Sequence, residues 1–179
     1  MTLLLIPGAL RRGSTNRLLA AQAARLYGEA EPAWADLRMP LYDGDLEEAE
    51  GAPPEARALA QAVAEAEAVV IATPEYNRSF PGVLKNALDW VSRVEGRPWR
   101  DKPVAIVSAA AGQTGGARAQ FALRLALTAF RPRLLAGPEV MVAGAARRFD
   151  ETGRLADERA LRALSELMEA LRAEVARGP

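Results

Sequence analysis

Residues 68–90 read AVVIATPEYNRSFPGVLKNALDW. The first five, Ala68 to Ala72, are an unbroken apolar run, the pattern of a strand buried on both faces of a parallel sheet. From Pro81 to Val94 the apolar positions Val83, Leu84, Ala87, Leu88 and Val91 recur at helical spacing, and Pro81 stands where a helix can start. Between strand and helix lies a short polar and aromatic loop, Thr73 to Asn77. Open α/β sheets bind ligands outside the carboxyl ends of their strands, which is where this loop must sit. Pro74 restricts its own backbone and that of Thr73. The amides of Glu75, Tyr76 and Asn77 are then fixed in a way that suits the edge of a flat, hydrogen-bonding ring, with Tyr76 beside it and Asn77 able to donate and accept. Composition alone favours a plainer reading, a strand-to-helix turn with an incidental tyrosine, because turns favour Pro and Asn anyway.

The same alternation extends in both directions. Strand patterns cover Leu3–Ile6, Ala33–Leu37 and Val104–Ala109, with weaker signals at Leu134–Leu135 and Val140–Val142 for a fifth strand. Helical patterns cover Ser14–Tyr27, Pro54–Glu65, Ala117–Phe130 and Asp157–Ala176, the last with Leu161, Leu164, Met168, Leu171 and Val175 on one face. Strands alternating with helices predict a parallel sheet covered on both faces. The chain is too short for two mononucleotide halves. The expected architecture is therefore α/β, a flavodoxin-like three-layer sandwich with a five-stranded parallel sheet in the order 2-1-3-4-5. No linker divides the chain, so residues 1–179 read as a single domain. The acidic, breaker-rich stretch DGDLEEAEGAPP, Asp43 to Pro54, reads as an exposed loop.

Composition narrows the chemistry. The 179 residues are 50% hydrophobic and 26% charged, enough for one proper core. The 23 basic and 23 acidic residues cancel, which argues against a nucleic-acid partner. No apolar run approaches the roughly 20 residues of a membrane helix, and the N-terminus lacks the basic and apolar regions of a signal peptide. A cytoplasmic protein with no membrane association is expected. There is no His and no Cys, which excludes a Ser-His-Asp triad, a Cys nucleophile, a disulfide framework and a His/Cys metal site. No metal site is expected. If the chain is an enzyme, its hard chemistry falls to a cofactor.

Two further loops follow strands. After the first strand come Gly8, Arg11, Arg12 and Gly13, and Ser14-Thr15-Asn16 opens a helix. The first turn of a helix has amide hydrogens without internal partners and a dipole that favours an anion. Gly8 and Gly13 let the backbone curl closely, Ser14, Thr15 and Asn16 add donors, and Arg11 or Arg12 offers a charged fork to a phosphate. The spacing mimics a Walker A loop, but Ser14 stands where its lysine belongs, and the G-x-G-x-x-G fingerprint is missing. A site for one terminal phosphate remains. By itself the segment reads equally as an ordinary N-cap; its place after the first strand tips it toward phosphate. After the fourth strand, Ser108 to Gly116 carries Gly112, Gly115 and Gly116 and permits close backbone approach, although on composition a flexible connection reads as well. In the expected order, strands one, three and four are neighbours, so the three loops converge.

With these motifs in place, the chain resembles the NADPH-dependent FMN reductase family, flavodoxin-like proteins that include quinone, azo-dye and chromate reductases. GALRRGSTNRLLA looks like the family's phosphate-loop motif, PEYNRSFPGVLKNALDW like its most specific signature, and SAAAGQTGGARAQFALRLAL like its third conserved block. DLRMPLYDGDLE is similar to the stretch after its second strand. The resemblance implies FMN with its phosphate at Arg11, Ser14 and Asn16 beside Thr15, and its isoalloxazine edge at Pro74, Glu75, Tyr76 and Asn77. It places Ser108, Gly112 and Gly116 on the ring's other side. Ala9 departs from the family, which often has serine there, and shifts weight to Arg11 and the helix amides. The implied reaction moves a hydride from NADPH or NADH to the flavin and electrons onward to a quinone, azo, flavin or metal-oxyanion acceptor, with no catalytic side chain required. The competing reading is a flavin-binding electron carrier or redox sensor reduced by a partner protein. The resemblance also implies a homodimer or homotetramer. The helix carrying Lys85 and Trp90 is the candidate interface, because apolar residues occupy much of its circumference. On that helix Lys85 and Asp89 are spaced to pair, and Arg78 faces substrate, nucleotide or another subunit.

Overall fold

The computed structural model describes residues 2–178. Its centre is built from strands with no polar side: β1 (Leu3–Pro7) and β3 (Ala68–Thr73) are buried at every position, and β4 (Pro103–Ala110) at all but the last. Such strands are stable only between two covered faces. Successive side chains point to opposite faces, which sorts the core into two halves. Leu3, Leu5, Val70 and Val107 pack with α1 (Thr15–Tyr27) and α6 (Glu158–Ala176). Leu4, Ile6, Val69, Ile71 and Ile106 pack with α3 (Pro54–Glu65), α4 (Gly82–Val91) and α5 (Ala117–Leu127). The result is the expected three-layer α/β sandwich.

The sheet order is β2-β1-β3-β4-β5, all parallel, with β2 at Ala33–Trp34 and β5 at Arg133–Leu134. The fifth strand is divided. A separate β6 (Val140–Ala143) also pairs with β4, farther along it, and Gly137–Pro138 lies between the two pieces. Neither residue supports a continuous ladder, which explains why the sequence showed two weak signals there. Pro7 pairs with Ala72 and Thr73 with Ser108, so the loops after β1, β3 and β4 leave the sheet at nearly one level.

The acidic stretch departs from expectation. Gly44–Glu50 forms a short helix, α2, with Asp43 as N-cap accepting from the Asp45 amide. It is tied to the segment just after α4 by Arg93, whose guanidinium bonds both Glu47 oxygens at 2.8 and 3.0 Å, and to its own lead-in by the Tyr42 hydroxyl donating to Glu47 at 2.9 Å. The bonds from Arg93 first, and then Tyr42, hold the Glu47 carboxyl below its ordinary range. The Trp90 indole N–H and the Asn86 amide both donate to the Pro40 carbonyl, at 2.8 and 2.9 Å. Trp90 is thus a core anchor, and α4's apolar circumference is covered by the sheet on one side and by residues 40–42 on the other. The exposed side of α4 holds the Lys85–Asp89 pair, 2.6 Å apart. Among the described residues no helix is long and apolar enough to cross a membrane.

Candidate functional site

The loop after β1 runs into α1 without a side-chain cap. Ser14 sits at the N-cap with extended backbone, but its hydroxyl bonds no first-turn amide. The amides of Thr15 and Asn16 have no acceptor among the described residues, as helix geometry requires for a first turn. Arg11 lies alongside with no carboxylate partner among the described residues. Gly8 approaches the end of β3 so closely that a Cβ would meet Thr73 at 3.2 Å, whereas a Cβ on Gly13 would meet no protein atom within 4 Å. The space at Gly13 is therefore not needed for packing; it borders an open cleft.

That cleft has a volume of about 410 Å³ and is walled by all three loops. Arg11, Ser14, Thr15 and Asn16 line one end, Pro74, Glu75 and Tyr76 one side, and Ala109, Ala110 and Ala111 the other. Ala145 and Ala146, on the 3₁₀ turn after β6, complete it. The volume falls within the roughly 300–1,000 Å³ of small-molecule sites. Seven of the eleven residues singled out from sequence line the cleft, while Asn77, Ser108, Gly112 and Gly116 do not.

Several side chains have work other than that expected. The Asn16 amide is buried and pairs with Ala109 in both directions, donating to its carbonyl and accepting from its N–H, each at 2.8 Å. It joins the first loop to β4, so at the cleft Asn16 offers its main-chain N–H rather than its side chain. Ser108 is fully buried; its hydroxyl donates to the Gly115 carbonyl at 2.6 Å and accepts from Gln120 at 2.9 Å. It holds the third loop from behind instead of forming a ring wall. Gly116, with φ +95°, is buried against it, and a Cβ there would lie 2.8 Å from the Ser108 hydroxyl. Gly112 turns its carbonyl toward the amides of Gly115 and Gly144.

The ring loop is held by two devices. Tyr76 and Ser79 exchange main-chain hydrogen bonds at 2.8 and 3.0 Å around Asn77 and Arg78, both left-handed at φ +50° and +67°. This is a tight two-residue turn of the type I′ class. It consumes the Tyr76 amide, leaving those of Glu75 and Asn77 without a backbone acceptor among the described residues. The Glu75 carboxylate accepts from the Arg118 main-chain N–H at 3.1 Å, and its other oxygen lies 3.5 Å from the Arg118 guanidinium. Glu75 thereby caps α5 and ties the ring loop to the helix after the third loop. Arg78 projects from the turn into solvent.

A model of the family described as NADPH-dependent FMN reductase matches residues 1–147. The chain belongs to the NADPH-dependent FMN reductase family. An NAD(P)H-dependent FMN reductase of Pseudomonas aeruginosa is 41% identical over 174 residues, covering 96% of this chain and 94% of that protein. A quinone reductase of Escherichia coli is 41% identical over 157 residues, covering 84% and 82%. Among solved structures, FerB of Paracoccus denitrificans, a flavoenzyme NAD(P)H:(acceptor) oxidoreductase, superposes with a TM-score of 0.87 at 30% identity over 98% of this chain and 97% of its own. As a family member the chain is an oxidoreductase with FMN as cofactor and NAD(P)H as electron donor. The cleft fits FMN: an uncapped helix N-terminus suits a phosphate, and a slot between two well-braced loops suits a flat ring.

The alanines at 109–111, 145 and 146 were missed from sequence. They carry no chemistry in their side chains, and small size beside a strand end was the only signal available. Residues 43–54 do not line the cleft.

Proposed function

We propose that this chain is one FMN-binding domain that passes electrons from NAD(P)H through bound FMN to quinone or azo acceptors. The observation that carries the proposal is the cleft joining an uncapped helix N-terminus to a braced, flat-sided slot. The free amides of Thr15 and Asn16, the Ser14 hydroxyl and Arg11 hold the phosphate. Pro74, Tyr76 and the alanine wall position the ring, and the amides of Glu75 and Asn77 donate to its polar edge. When bound, FMN supplies the hydride and electron chemistry that a chain without His or Cys does not supply itself. The residues orient the ring, bind its charge and leave one side open to small reactants.

The test is anaerobic. Purified protein is expected to be yellow or to take up added FMN, and NADPH or NADH bleaches it, with a quinone restoring the colour. Protein that takes up no FMN sinks the proposal. Flavin that is reduced only by a protein partner would establish the electron-carrier reading instead.

A homodimer or homotetramer in a cytoplasmic setting completes the reading. Exposed apolar side chains available for contact include Leu41 and Tyr42 beside α4, and Phe121 and Leu125 one turn apart on α5. Light scattering on the purified protein tests the assembly, and a monomer at micromolar concentration removes it.

A further inference from the structure

The first turns of α5 hold both sides of the cleft. The Arg118 main-chain N–H donates to Glu75 of the ring loop at 3.1 Å. Two residues on, Gln120 is fully buried. Its side-chain amide donates to the Ser108 hydroxyl at 2.9 Å and to the Val140 carbonyl at 2.8 Å. Ser108 passes the connection to the Gly115 carbonyl at 2.6 Å, and it directly precedes Ala109, Ala110 and Ala111 of the cleft. Val140 opens β6, which leads to Ala145 and Ala146. One side chain therefore joins α5 to the end of β4, the third loop and β6, the elements that carry or lead into the alanines lining the cleft. Chemistry fixes the orientation of the Gln120 amide: a carbonyl only accepts, so Val140 requires the nitrogen end. The Gln120 amide oxygen is left buried and without a donor among the described residues. A buried acceptor without a partner works against stability, and an apolar side chain of similar volume would avoid it. What recommends glutamine at this position is the pair of bonds made by its nitrogen.

We infer that Gln120 is a positioning residue: it fixes the alanine side of the cleft relative to the ring loop, and the resulting gap sets the reduction potential of FMN held there. The inference rests on the FMN reading above. Glu75 and Gln120 tie the two sides of the cleft to positions 118 and 120 of one helix, a spacer of fixed rise per residue. Alanine side chains are too short to adjust the gap themselves, so the backbone behind them decides it. That backbone is bonded to Gln120 through Ser108 and Val140. A site that grips the oxidised and reduced rings unequally moves the potential of the bound flavin. A tenfold change in the ratio of the two affinities is about 30 mV for a two-electron couple.

The experiment compares the FMN-loaded protein with Gln120→Met, which keeps the length and approximate volume and removes both bonds together with the unpartnered oxygen. The potential of the bound flavin is read by anaerobic titration with dithionite beside a reference dye. Gln120→Met is expected to change the ratio of affinities for oxidised and reduced FMN about tenfold, a shift of about 30 mV, and to change kcat more than the KM for NADH. Ser108→Ala, which cuts the link to Gly115 and leaves Gln120 on Val140, should move the potential in the same direction by less. It carries the same test if Gln120→Met does not fold. An unchanged potential in the folded variants overturns the inference, and a lower melting temperature alone makes Gln120 a purely structural residue. Hydrogen–deuterium exchange on the apoproteins separates the gap from the flavin. Gln120→Met should speed exchange at residues 109–116 and also at 75–77. That response in a protein that takes up no FMN keeps the positioning role and removes only the flavin reading. Ring-loop exchange that does not respond overturns the positioning role even where FMN binds.

Discussion

Two loops leave the carboxyl edge of the sheet, both built on glycines and small polar residues, but they use their polar groups in opposite directions. Among the described residues the loop after β1 leaves its donors free: the Ser14 hydroxyl makes no cap, the Thr15 and Asn16 amides have no acceptor, and Arg11 has no carboxylate partner. The loop after β4 uses its groups on itself, with Ser108 on Gly115, Gln120 on Ser108 and Gly112 on Gly115 and Gly144. One loop presents free donors to the cleft, and the other braces the cleft's alanine-lined side. The difference follows from depth. Ser108 lies inside β4, where burial obliges a hydroxyl to find protein partners. Ser14 lies beyond the end of its strand, where a ligand can serve.

Substitutions should separate the loops by what they damage. The largest effect is expected at Gly115. It sits at φ +61°, and an added Cβ would lie 2.6 Å from the Met141 carbonyl carbon and oxygen. Gly115→Ala should cost about 3 kcal/mol or more, lowering the melting temperature of the apoprotein by about 6–12 °C. An unchanged melting curve would mean that the third loop is not packed as a buttress. Next is Asn16→Ala, which leaves the Ala109 N–H and carbonyl unpaired at about 2–4 kcal/mol. Its damage should appear in apoprotein unfolding; a loss of FMN affinity with normal unfolding would return the Asn16 side chain to the phosphate site.

Arg11→Ala tests the opposite behaviour. FMN should be held about tenfold less tightly, more so at low salt, with apoprotein stability unchanged. Flavin retention equal to the unmodified protein would leave Arg11 as a solvated charge. The smallest effect belongs to Ser14→Ala. An ordinary N-cap serine would cost about 1 kcal/mol on this change. Because Ser14 makes no cap bond, the apoprotein should shift by less than about 0.5 kcal/mol, while FMN binds several-fold more weakly. A full cap-sized loss of stability without any flavin effect would erase the contrast between the loops.

Strand order and layers were legible because they depend on patterns spread over many residues, such as the apolar run Ala68–Ala72 and the face of α6 from Leu161 to Val175. Pro54–Glu65 forms a helix with the same bounds as its pattern. Local exceptions were harder. Helix α2 hid between Gly44, Gly51, Pro53 and Pro54, where breakers outweighed the capping signal of Asp43. The turn at Asn77–Arg78 was concealed because its second left-handed position holds an arginine where such turns favour glycine. At the site, residue type pointed to the cleft end that carries Arg11 and the first-turn amides of α1. It did not show that Ser108 and the Asn16 side chain are engaged within the protein, since sequence does not reveal whether a polar group is already satisfied by a partner 93 positions away.

The Glu75 cap on α5 also gives the cleft a polarity. The carboxylate sits on the positive end of the α5 dipole and offsets it, whereas the corresponding end of α1 stays uncompensated beside Arg11. Electrostatic potential therefore falls from one end of the cleft to the other. An elongated molecule with charge at one end and a neutral ring at the other has a single favourable direction in which to lie.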